Sequence, residues 1–192
     1  ADQARDFSAF LWRDLPGSQL PQAQLPPGAG TVQRLATTAF WDVPIRAGAG
    51  ALHLWAYAAT PPVFDGPEDR NGRRNADETG FWLQYLNGAL PQKPVAPFVI
   101  LGLANLDPDR GAGQRAVIRQ LLADPRLQDP RPTGPDAPAD HPLATADFGG
   151  TIGPLRVDYI LPAAGLKVLA AGTLGDPRAG KHRLVWVDLA LP

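Results

Sequence analysis

Val99-Ile-Leu-Gly-Leu-Ala-Asn-Leu-Asp-Pro108 is the stretch whose reading decides the fold. With Pro97 and Phe98 it gives a short apolar run, Pro97 to Leu103, bounded by proline and glycine, as a strand buried on both faces would be. Helical spacing follows in Gln114 to Ala123, where Val117 falls with Leu121 and Ile118 with Leu122 before Pro125 stops the turn.

Upstream, Thr37 to Ile45 and Ala51 to Ala59 are rich in β-branched and aromatic residues, and Ala47-Gly-Ala-Gly50 joins them as a hairpin. A helix comes next, with Asn75 as cap, Glu78 three residues later as in a capping box, Phe81, Trp82 and Tyr85 on one face, and Gly88 at the exit. Asp14 to Gly30 holds repeated Leu-Pro steps and reads as an irregular arm. Downstream, prolines and aspartates make Asp124 to Leu143 a long loop. Strand patterns then resume at Leu155 to Leu161, Leu166 to Thr173 and Arg183 to Leu191. The order predicts an α+β fold, one mixed β-sheet with helices on one face. It is a single domain over 1–192, with residues 1–30 as the arm and 31–192 as the sheet-and-helix body.

The chain has 192 residues, 44% apolar and 19% charged, enough for one domain with a sizeable core. A net charge of -1 gives no electrostatic reason to expect nucleic acid. There is no cysteine, hence no disulfide, and no methionine, so Ala1 implies a processed, excised or incomplete chain. No apolar run approaches the roughly 18 residues of a membrane span, and no retained leader is visible. Export to the periplasm or medium stays open if a leader has been removed.

Several motifs occur in a fixed order: Thr60-Pro-Pro-Val-Phe-Asp-Gly-Pro-Glu-Asp-Arg-Asn-Gly-Arg-Arg-Asn75 with Asp77 and Glu78, Gly102-x-x-Asn105, Leu155-Arg-Val-Asp-Tyr-Ile-Leu161, and His182-Arg-Leu-Val-Trp-Val-Asp188. Together they resemble the endonuclease/exonuclease/phosphatase (DNase I-like) superfamily, in particular a bacterial branch. The resemblance runs from Phe7 to the end and covers only the second half of such a protein. It implies half of a four-layer α/β/β/α sandwich, with a Mg²⁺- or Mn²⁺-dependent phosphoester hydrolase site at the strand ends between two sheets. The family's first half carries a strand-end asparagine and the metal-holding glutamate, and nothing before Phe7 supplies them.

Residue by residue, the resemblance puts Asn105 at a phosphate-contacting amide and pairs Asp158 with His182; these are the residual catalytic positions. Ala58 stands where the family has a phosphate-binding histidine, Leu103 where an aspartate activates water, and Lys181 where another aspartate serves the metal or nucleophile. Upstream, Ala39 and Phe40 stand where that branch tends to place polar groups. These replacements remove polar or ionisable groups or, at Lys181, reverse a charge, a direction better explained by inactivation or redesign than by drift. Plainer roles are open too: a structural hydrogen bond for Asp158 and His182, a turn for Asn105, and a solvated loop and helix start for Arg70, Arg73, Arg74, Asp77 and Glu78. His53 and His141 stand apart from any metal-ligand spacing and read as satisfied histidines. No phosphate-cradling glycine loop is present, and the only serines, Ser8 and Ser18, lie before the body.

Half a sandwich leaves one apolar sheet face in water. A second copy, a separate chain bearing the first half, or the arm must cover it, with Phe40, Trp55, Tyr57 and Leu103 expected at that interface. Two functions follow. The first is a catalytically impaired derivative of a metal-dependent phosphoesterase, acting as a scaffold or self-associating binding module with no cofactor and no metal. The alternative is a residual Mg²⁺- or Mn²⁺-dependent phosphodiesterase or nuclease-like hydrolase, completed by a partner chain.

Overall fold

The computed structural model describes residues 4–48, 50–176, 178 and 180–190. Strands β1 (Arg5–Asp6), β2 (Phe40–Ala47), β3 (Gly50–Ala58), β4 (Phe98–Leu103) and β7 (Asp158–Pro162) form a five-stranded sheet in the order β1-β2-β3-β4-β7. β2 and β3 make the expected hairpin, with Ala47 opposite Gly50; Ala49, in its turn, lies outside the described residues. β3 and β4 run parallel. A parallel pair needs a crossover, and helix α1 (Arg70–Leu86) supplies it. β7 returns antiparallel on β4, and helix α2 (Arg115–Leu122) packs beside α1, burying Ile118 and Leu121.

Strand parity divides this sheet into two unlike faces, because cross-strand partners share a face. Phe40, Trp55, Tyr57, Ile100, Tyr159 and Leu161 fall on one side and are buried. α1 lies over them with Phe81, Trp82 and Tyr85; the Trp55 ring stacks on Phe98 at 3.9 Å and on Trp82 at 5.9 Å. Gly102 is required on this sheet, since at φ 146 a Cβ would sit 1.9 Å from the Tyr57 carbonyl oxygen. The opposite side carries Trp41, Val43, Ile45, Leu54, Ala56, Leu101, Leu103 and Ile160. It is only partly covered, with Trp41 46% and Ile45 40% exposed. The expected interface set is therefore corrected: Phe40, Trp55 and Tyr57 belong to the helix-covered core, and only Leu103 lies on the open face. Alternation puts each aromatic one residue out of phase with the open rows.

The arm does not cover that face either. Trp12, Leu15 and Ala23 enter the core, Trp12 Nε1 and the Gln19 backbone N–H donate to Asp77 at 2.5 and 2.7 Å, and Arg70 donates to the Ala23 carbonyl. The arm is thus pinned to α1.

α1 starts at Arg70 with Asp69 at the N-cap position, so the expected cap at Asn75 is corrected by six residues. Asn75 and Glu78 are buried one turn apart and reach out of the helix instead. Asn75 donates to the Thr60 and Ala104 carbonyls, while Glu78 accepts from the Thr37 and Thr60 backbone N–H groups. Burial pushes the Glu78 carboxyl above its ordinary range despite those donors. Asp77 is raised for the same reason, and Arg74 donates to the Arg34 and Leu35 carbonyls. The residues expected as a solvated helix start are largely turned inward, fastening loops to the helix.

The strand expected over Leu155 to Leu161 is broken. β6 (Pro154–Leu155) pairs with β5 (Ala146–Asp147), and the chain then shifts through Arg156 and Val157 into β7. Arg156, at that shift, is buried and makes a two-pronged ion pair with Asp129. β8 (Lys167–Leu174) and β9 (Leu184–Ala190) pair with each other as a separate ribbon, with β9 against β7. Leu191, in the strand expected there, lies outside the described residues.

Candidate functional site

At the C-terminal ends of β3 and β4, on the open face, Ala58, Leu103 and Asp158 form one cross-strand row. Asp158 is its only ionisable member. Its Oδ2 accepts from the Thr145 hydroxyl at 2.8 Å and contacts His182 Nδ1 at 2.9 Å. Thr145 Oγ1 in turn accepts from the Val157 and Asp158 backbone N–H groups at 3.0 and 2.9 Å. The break between β6 and β7 creates this arrangement, because it turns those two N–H groups away from a ladder and onto one hydroxyl.

His182 reaches the row through main-chain ties. It bridges Ala146, while Arg183 N donates to the Thr145 carbonyl and Asp147 N to the Lys181 carbonyl. With Nδ1 turned to Asp158, Nε2 is the ring nitrogen left to meet a ligand. Such a carboxylate-oriented imidazole can hold or transfer a proton at Nε2. Phe148 stands edge-on to the His182 ring at 5.7 Å, and Lys181 Nζ lies 5.8 Å from the Phe148 centroid.

Asp158 and His182 are thus brought together as expected; Asn105 is nearby in the chain path but outside their hydrogen bonds. Asn105 adopts φ 54, and its Nδ2 donates to the Ala59 carbonyl at 2.8 Å, tying the exit of β4 to that of β3. Thr145 and Phe148 were not expected at the site. Thr145 carries no motif, and its role exists only where two N–H groups and a carboxylate converge.

The remaining histidines are satisfied by buried aspartates, His53 on Asp42 and His141 on Asp107, each at 2.6 Å. Burial pushes Asp107 up, but the Arg156, Asp109 and Arg110 backbone N–H groups and the His141 ring outweigh it and hold the carboxyl below its ordinary range.

A divalent ion needs several donor side chains that converge on one point. Among the described residues no three His, Asp or Glu side chains converge as ligands. Asp158 is already engaged by Thr145 and His182, and its row neighbours are alkyl. The residues present do not fit the ion.

No protein-family model and no curated protein sequence matches the chain. Solved structures do. An endonuclease/exonuclease/phosphatase from Beutenbergia cavernae matches at TM-score 0.61 and 18% identity, over 92% of this chain and 43% of its own. One from Bacteroides vulgatus matches at 0.53 and 14%, over 89% and 63%, and a family protein from Leptotrichia buccalis at 0.52 and 15%, over 83% and 55%. The chain thus spans about half the length of these structures. No described helix is long and apolar enough to cross a membrane. In architecture, this chain shares the fold of about half of these endonuclease/exonuclease/phosphatase structures.

Proposed function

We propose that the chain is a catalytically impaired derivative of a metal-dependent phosphoesterase, working as a binding module that associates through its open sheet face. The observation that carries this reading is the row Ala58–Leu103–Asp158, with one carboxylate, already hydrogen-bonded to the His182 that Lys181 directly precedes in the chain. An alkyl side chain neither accepts a proton nor binds a cation, and an ammonium repels one. The partly exposed row of Trp41, Ile45, Leu54 and Leu101 supports association, since contiguous apolar surface marks an interface. The occupant is a second copy or a chain carrying the other half of the sandwich.

The test combines sedimentation, melting and turnover. Mg²⁺ and Mn²⁺ are expected to leave the melting temperature unchanged, because an ion that binds the native state raises it. A bis-aryl phosphate is expected to stay intact. The protein alone sediments as a dimer, or forms a heterodimer with the complementary half, and Trp41→Asp dissolves either. A clean monomer with both additions would sink the association.

A second reading is favoured by the Thr145–Asp158–His182 hydrogen bonds, which orient an imidazole as acid–base catalysis needs. In it the chain is half of a Mg²⁺-dependent phosphodiesterase, and turnover lost in His182→Ala would establish it.

A further inference from the structure

A cavity of about 330 Å³ opens where the last turn of α2, the turn at Pro108 and the 124–143 loop meet. It shares no lining residue with the Ala58–Leu103–Asp158 row, with His182 or with the open sheet face. Pro108, Leu122, Ala123 and Leu143 give it a hydrocarbon wall. The polar part of the lining sets three guanidiniums, Arg119, Arg131 and Arg156, against two carboxylates, Asp109 and Asp129.

The three guanidiniums are not equally free. Arg156 is buried and spends Nη1 and Nη2 on Asp129, at 2.8 and 2.5 Å. Arg119 donates from Nε to the Pro108 carbonyl at 2.6 Å, stands 3.6 Å from Asp109 and, in the last turn of α2, offsets the carbonyl end of that helix. Arg131 is exposed, and its side chain makes no hydrogen bond or ion pair with any described residue; only its backbone N–H is engaged, by Asp129 Oδ1 at 3.0 Å. At φ 50 its backbone lies in the left-handed region, which a residue with a side chain seldom adopts. Asp129 thus anchors two arginines, one by the side chain and one by the main chain. The neighbouring Asp107 carboxylate is taken up by the His141 ring and three backbone N–H groups. The positive charge left over on the lining belongs to Arg131.

One free guanidinium beside a hydrocarbon wall selects a monoanion with an apolar body. A planar carboxylate matches the guanidinium fork, whereas a dianion would bring a charge with no partner. The volume lies at the lower end of the range of about 300–1,000 Å³ usual for small organic ligands. We propose that this cavity binds a small organic carboxylate, its carboxylate on Arg131 and its hydrocarbon against Leu122 and Leu143. The site goes beyond association through the open sheet face and stands or falls without it.

The probe is 2-naphthoate, titrated by calorimetry in dilute, phosphate-free buffer. Saturable binding at one site is expected, with the neutral 2-naphthamide about tenfold weaker, equivalent to about 1.4 kcal/mol. Arg131→Gln is expected to erase that preference, weakening 2-naphthoate about tenfold and leaving 2-naphthamide as it was. Its melting temperature should match that of the unaltered chain, since the side chain has no partner to lose. Arg178→Gln, at an 89% exposed side chain outside this lining, should change neither ligand. Absence of saturation, a persisting preference for the carboxylate in Arg131→Gln, or an equal loss in Arg178→Gln overturns the assignment. Inorganic phosphate that displaces 2-naphthoate more strongly than benzoate does overturns the carboxylate class, and acetate that binds as tightly as 2-naphthoate overturns the role of the hydrocarbon wall.

Discussion

The two faces of the five-stranded sheet are made from the same strands and behave as different materials. Beneath α1, Trp55, Tyr57, Phe40, Phe81, Trp82 and Tyr85 interlock with ring centroids mostly 5 to 6 Å apart. On the other side the rows of Trp41, Val43, Leu54, Ala56 and Leu101 meet water over part of their area. One face is a packed core and the other is only partly covered. The difference teaches that burial and exposure are assigned within one sheet one residue apart along each strand.

That contrast breaks most severely at Trp82. Trp82→Ala removes a fully buried ring from the aromatic stack and is expected to cost about 3–5 kcal/mol of folding stability, read by urea unfolding. A loss below about 1 kcal/mol would mean that the helix-covered face is not the core.

A smaller effect comes from the carboxylates that fasten loops. Asp107 is held below its ordinary range, so its contribution is complete above that range and lost as pH falls through the lowered value. Asp107→Asn is expected to cost about 1–3 kcal/mol at neutral pH and to flatten the acid limb of a stability–pH curve. Glu78 has the opposite sign. Its raised carboxyl gives stability that is present below the ordinary range and lost as pH rises through the raised value. An acid limb that stays steep in Asp107→Asn would show that the charge matters elsewhere.

The smallest effect is expected on the open face. Trp41→Ser in the isolated chain should change unfolding stability by no more than about 0.5 kcal/mol, as for other exposed positions. A large loss there would show that the open face is already closed.

Elements built from local pattern were legible in the sequence: the β2–β3 hairpin, β4 and α2 all follow from spacing and nearby proline or glycine. Asn75 and Glu78 were misread because cap and rivet use the same residue types. Only Thr37, Thr60 and Ala104, distant in the chain, distinguish the two. The phase of the aromatics was equally hidden, since Phe40 and Trp55 look alike from either side until the register of β2 against β3 is known. At the site, Asp158 and His182 were named through motif resemblance. Thr145 was not, because a lone threonine acquires its role only where the β6–β7 break directs two N–H groups onto it.

The separateness of the β8–β9 ribbon bears on how the Asp158–His182 contact behaves in time. Asp158 belongs to the five-stranded sheet, whereas His182 enters from the ribbon side and is tied to β5 by few main-chain bonds. The contact is thus a seam between the sheet and the segment that leads into the ribbon. A seam held by few main-chain bonds is expected to open locally at a free energy below that of global unfolding. Proton exchange at His182 therefore reports on this joint, and a ligand gripping both sides would slow it without altering the core.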